Sequence, residues 1–120
     1  MSQKQAARVY VKSNHPDLDA ALADTLSHAL GESASVRIGI PGDASTRNII
    51  VTTDGASSPT AVSKLAGEGG EVVVLAALPS QAAEAGYRKA GARAYLPMVV
   101  SGAPLVAAVA AIAASFAERF

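Results

Sequence analysis

The strongest strand signal in this chain is Glu71 to Leu78, with Val72-Val73-Val74-Leu75 at its centre. A second run, Asn48 to Thr53 (Asn-Ile-Ile-Val-Thr-Thr), has the continuous apolar centre expected of a sheet covered on both faces. Helical patterns flank the Val-rich run on either side. Before it, Ser57-Ser58-Pro59 forms a cap with Pro in the first turn, and Val62, Leu65 and Ala66 make a short helix. After it, Pro79-Ser80 opens a helix that runs to about Ala90 and stops at Gly91. Strands alternating with helices require an α/β parallel sheet.

The rest of the chain repeats the alternation. Ala7 to Val11 is short, β-branched and aromatic, hence a first strand. Ser13 to Asp17 supplies turn and helix-start signals, with Asp17 and Asp19 placed favourably at a helix N-terminus. Leu18, Leu22, Leu26 and Leu30 form one apolar stripe, and Gly31 ends that helix. Ser35 to Ile40 alternates Val36, Ile38 and Ile40 with Arg37 and Gly39, which predicts a second strand exposed on one face. Arg93 to Pro97 is a short last strand, and Ser101 to Pro104 starts a final helix with Leu105, Val109, Ile112 and Phe116 on one face. Five strands suit a flavodoxin-like doubly wound sheet of order 2-1-3-4-5. Only Pro41 to Arg47 separates the second strand from the third, whereas a parallel crossover needs a dozen or more residues. The helix between them is therefore expected to be shortened or lost.

With 120 residues, half of them apolar, the chain suits a single domain over residues 1–120 with a real core, a size also found as one domain of longer proteins. Ten Lys and Arg balance ten Asp and Glu, so composition points to neither a nucleic acid nor an anionic membrane as partner. Cysteine is absent, which excludes disulfides and thiolate metal sites and fits a cytoplasmic location. Two distant histidines give no metal-ligand spacing, and we expect neither metal nor cofactor. The polar stretch Met1 to Ala7 lacks the apolar core of a signal peptide. No charge occurs from Ala94 to Phe116, but Pro97, Gly102 and Pro104 break that run. A strand, a turn and a helix explain it better than a membrane span, which needs roughly 20 apolar residues.

The run Gly91-Ala92-Arg93-Ala94-Tyr95-Leu96-Pro97, supported by Pro16-Asp17-Leu18, resembles the segments of response-regulator receiver (CheY-like) domains, and the resemblance spans roughly Ala7 to Phe116. It implies a site at the C-terminal ends of the strands. There, two acidic residues hold Mg²⁺, an Asp accepts the phosphoryl group, a Thr or Ser and a Lys contact it, and an aromatic repacks with the switch. In this chain the acidic pair corresponds to Ser13 and Asn14, the acceptor to Thr53, the hydroxyl to Ala76 and the Lys to Met98. Tyr95 retains the aromatic, and the Pro common after the Lys is Val99. Mg²⁺ wants carboxylate oxygen, and phosphoryl transfer depends on positioning and charge neutralisation, so these exchanges describe a degenerate pseudo-receiver. Asp54 is the remaining acidic candidate. A one-residue shift turns its side chain to the other strand face, and Asp54-Gly55 is a good turn pair, so we read a turn.

Other signals have plainer readings. Gly39-Ile40-Pro41-Gly42 and Gly67-Glu68-Gly69-Gly70 lack phosphate-loop spacing and read as loops. His15 reads as a solvated residue at the helix start, and Ser101 lacks a nucleophile-elbow context. The expected function is therefore not enzymatic. It is a phosphorylation-independent signalling or protein-interaction module that acts through the last strand and last helix, with Tyr95, Met98, Val99, Val100, Leu105 and Val109 as contact or switch candidates. A protein partner or a second copy is the expected ligand. The alternatives are a small-molecule sensor using Ser13, Asn14, Thr52 and Thr53 in the vacated crevice, and a receiver still phosphorylated at Asp54.

Overall fold

A computed structural model describes residues 7–41, 48–98 and 102–117. Strands β1 (Ala7–Lys12), β2 (Ala34–Ile38), β3 (Asn48–Thr53), β4 (Glu71–Ala76) and β5 (Ala94–Pro97) form one parallel sheet in the order β2-β1-β3-β4-β5. This is the doubly wound order expected from the sequence. Helices α1 (Pro16–Leu30) and α4 (Ala103–Ala117) cover one face, and α2 (Pro59–Gly67) and α3 (Gln81–Lys89) the other. The strand period of two then splits the apolar residues between two cores. Val9, Val11, Ile49, Val51, Val73 and Leu75 face α1 and α4, while Ile50, Val72, Val74 and Ala76 face α2 and α3.

Local chemistry sets most of the helix boundaries. Gly31 has φ 57° where α1 ends, a conformation that suits glycine. Ser58 and Ser80 accept the backbone N–H groups of Ala61 at 3.3 Å and Ala83 at 3.1 Å, which caps α2 and α3. Gly91, at φ 110°, turns the chain from α3 into β5, and a Cβ there would lie 2.9 Å from the Ala66 Cβ. Leu105, Val109, Ile112 and Phe116 are all buried, so the predicted apolar face of the last helix is the face that meets the sheet.

Two strand ends differ from expectation. β2 stops at Ile38 rather than Ile40, and both isoleucines are exposed. β2 is an edge strand, so alternation along it does not guarantee cover. β4 stops at Ala76, leaving Leu78 exposed in the following loop, because strand pairing with β3 and β5 ends there. The expected loss of a crossover helix falls on residues 42–47, outside the described residues. Among the described residues no helix is long and apolar enough to cross a membrane.

Candidate functional site

The C-terminal ends of β1, β3, β4 and β5 bring Ser13, Asn14, Thr53, Ala76 and Met98 to one edge of the sheet. Ser13 is buried; its N–H donates to the Asp19 carboxylate at 2.7 Å. Its hydroxyl donates to the His15 carbonyl and accepts from the His15 N–H, each at 3.1 Å. The Asn14 side-chain amide donates to the Gly55 carbonyl at 2.7 Å, tying the loop after β1 to the loop after β3. Where the resemblance implies a metal between these loops, a neutral hydrogen bond joins them.

Thr53 is buried, and its hydroxyl accepts the Ala56 N–H at 3.2 Å. Thr52 and Ser57 hydroxyls pair at 2.7 Å. Asp54 begins a turn: its N–H donates to the Leu75 carbonyl at 3.0 Å, and the Ala56 and Ser57 N–H groups donate to the Thr53 carbonyl at 3.1 and 3.0 Å. Asp54 is half-buried and directly follows Thr53, past the end of β3. The Tyr87 hydroxyl donates to the Ser57 carbonyl at 2.6 Å and approaches the Asp54 carbonyl at 3.4 Å. Burial chiefly, then the charge of Asp54 and the neighbouring Tyr95, raises the Tyr87 pKa.

Met98 donates its N–H to the Ala76 carbonyl at 2.8 Å, continuing the strand pairing. Its side chain packs on the α1/α4 core and, with Leu18, Leu22, Pro97 and Leu105, lines a cleft of about 160 Å³ between the two helices. An unbranched thioether fills such an apolar gap well. His15 stands exposed at the head of α1 and makes no side-chain cap. Among the described residues no three His, Asp or Glu side chains converge on a metal-sized site.

The proposed contact residues need correction. Tyr95, Leu105 and Val109 are 7%, 4% and 0% exposed, so they are core residues and cannot form a surface. Tyr95 stacks on Tyr87 with ring centroids 5.8 Å apart and planes at 28°, and its hydroxyl accepts the Ser80 N–H at 3.4 Å. Val99, Val100 and Ser101 lie outside the described residues. The surface of α4 consists instead of Ala103, Pro104, Ala107, Ala110, Ala111 and Ala114. Sequence reasoning missed Tyr87 as a link between the β3 loop and β5. Ala83, Tyr87 and Ala90, spaced by four and three residues, were the available signal.

No protein-family model matches the chain, and no curated protein matches it. Solved structures do. A two-component response regulator of the LuxR family from Aurantimonas sp. aligns at TM-score 0.75 and 18% identity, covering 92% of this chain and 87% of that one. A Burkholderia thailandensis protein assigned to pilus assembly (cpaE) aligns at 0.75 and 20% identity, covering 90% and 98%. A Burkholderia pseudomallei protein assigned as pilus assembly-related aligns at 0.74 and 20% identity, covering 90% of both chains. The chain therefore has the fold of CheY-like receiver domains.

Proposed function

We propose that this chain is a receiver-fold protein-interaction module that operates without phosphorylation, in the cytoplasm, within a signalling or assembly system. The observation that carries this reading is the chemistry at the strand ends. Ser13, Asn14, Thr53, Ala76 and Met98 offer no charge to a metal or a phosphoryl group, and the Ser13 hydroxyl, Asn14 amide nitrogen and Thr53 hydroxyl each pair with a backbone group. Phosphoryl transfer needs charge neutralisation at the transition state, which these groups do not supply. The names of the Burkholderia structures favour a component of an assembly machine over a freestanding phosphorylation switch.

The contact surface we assign is the outer side of β5 and α4. Exposed Pro97 and the exposed alanines of α4 make it small, smooth and uncharged, a character that suits close backbone approach by a protein partner or a second copy. The sensor alternative is less favoured, because Ser13, Asn14, Thr52 and Thr53 are committed to His15, Gly55, Ser57 and Ala56.

Treatment with acetyl phosphate, and separately with beryllofluoride, each with Mg²⁺, tests the reading by intact mass and amide shifts. We expect no mass gain and no shift at the strand ends. A phosphoryl adduct on Asp54, or Mg²⁺-dependent shifts at Asn14 and Thr53, overturns it.

A further inference from the structure

The face of the sheet that α2 and α3 cover over β4 and β5 continues across β1 and β2 with a different character. Register places Tyr10 beside Ile50 of the second core on one side and beside Arg37 on the other. Arg8, Tyr10 and Lys12 of β1 thus share this face with Ser35 and Arg37 of β2. Arg8, Lys12 and Arg37 are exposed, and Tyr10 between them is half-buried. Arg37 lies directly across from Tyr10, and Arg8 and Lys12 flank it two positions away on β1, so three cations surround one tyrosine. These strands carry no carboxylate on this face.

Three like charges gathered on one face repel one another, though weakly because they are exposed to solvent. Protection of an edge strand accounts for Arg37 on β2. It does not account for Lys12, because β1 is an interior strand with partners on both sides. An interior strand of a parallel sheet is normally apolar on both faces. Lys12 and Arg37 form no ion pair among the described residues.

We propose that this face of β1 and β2 binds an acidic amphipathic helix of a protein partner, with Tyr10 as its apolar anchor and Lys12 and Arg37 pairing with its carboxylates. The shape fits. A helix with side chains is about 10–12 Å wide and covers two strands spaced about 4.8 Å apart, as α2 and α3 do beside it. Charge complementarity selects the partner's sign, and the aromatic centre with a cationic rim matches the composition of protein contact sites. A nucleic acid is the weaker fit, because binding along a phosphate backbone needs an extended basic track in a chain of basic balance. Here the patch spans one strand pair, and the charges of the chain sum to zero. This surface is separate from the β5 and α4 surface, so either assignment can fail without the other.

The test uses the isotopically labelled protein and three probes: a synthetic helical peptide with Glu at i, i+3 and i+4 around a central Leu, the same peptide with Lys for Glu, and single-stranded DNA of matched charge. The Glu peptide is expected to shift the amides of Tyr10, Lys12 and Arg37, and to bind at least tenfold more weakly to a Lys12→Glu/Arg37→Glu variant whose far-ultraviolet spectrum is unchanged. A milder Lys12→Gln/Arg37→Gln variant is expected to move affinity in the same direction. The proposal is overturned by equal affinity of wild type and variants, by shifts centred elsewhere, by absence of binding, or by tighter binding of the Lys peptide or the DNA.

Discussion

Ile50 and Ile38 are the same side chain in two halves of one sheet, yet Ile50 is 1% exposed and Ile38 is 54% exposed. Ile50 belongs to β3, which is buried at every position beneath helices on both faces. Ile38 ends β2, an edge strand beside β1, where only alternate β1 positions are fully buried. Ile38 is in register with Val11, on the face that α1 and α4 cover, so its exposure comes from its place at the end of an edge strand. The opposite face of β1 and β2 carries Arg8, Lys12 and Arg37. The receiver-like edge sits where the halves meet, since β1 supplies Ser13 and Asn14 and β3 supplies Thr53.

Ile50→Ala and Ile38→Ala test the contrast most strongly. Urea unfolding should show a loss of about 2–5 kcal/mol for Ile50→Ala, the range for a large-to-small core change. Ile38→Ala should cost under about 1 kcal/mol, and a similar loss at both sites breaks the comparison. A second pair separates backbone strain from packing. Gly91 and Gly39 have φ 110° and 128°, but only a Cβ at Gly91 meets a neighbour, Ala66, within 4 Å. Alanine at Gly39 is expected to cost about 1–3 kcal/mol through backbone strain, and at Gly91 more than that.

Tyr87→Phe is expected to cost about 1–2 kcal/mol, since it leaves the Ser57 carbonyl without its 2.6 Å donor. It also carries a pH signature. The folded pKa of Tyr87 lies above the usual 10.0, so the stabilisation is whole below pH 10 and is lost as pH rises through the folded value. Chemical denaturation should show a steeper decline above pH 10 in wild type than in Tyr87→Phe, and parallel declines would remove Tyr87 from the account. The smallest effect belongs to the exposed Arg88–Glu84 pair, 2.9 Å apart on α3. Glu84→Ala should change stability by only about 0.3–0.5 kcal/mol, and 1 M salt should abolish that difference.

Much of the fold was legible in the chain because its signals are local. The stretches Ile49-Ile50-Val51 and Val72 to Leu75, the caps Ser58 and Ser80, and the stops Gly31 and Gly91 each act within a few residues. The candidate site was legible only as a set of positions. Which way Met98 turned, and what Asn14 bonded to, depended on loops 41 residues apart in the case of Asn14 and Gly55.

Sequence by itself determined the five parallel strands, their helices and the neutral character of the strand ends, since periodicity and residue type suffice for those. Tertiary structure alone decided that Tyr95 belongs to the core, that Tyr87 links the loop after β3 to β5, and that Arg8, Lys12 and Arg37 gather around Tyr10. Exposure and neighbourhood are properties of the packed sheet. A one-dimensional pattern shows which residues can be covered, and only the assembled layers show which ones are.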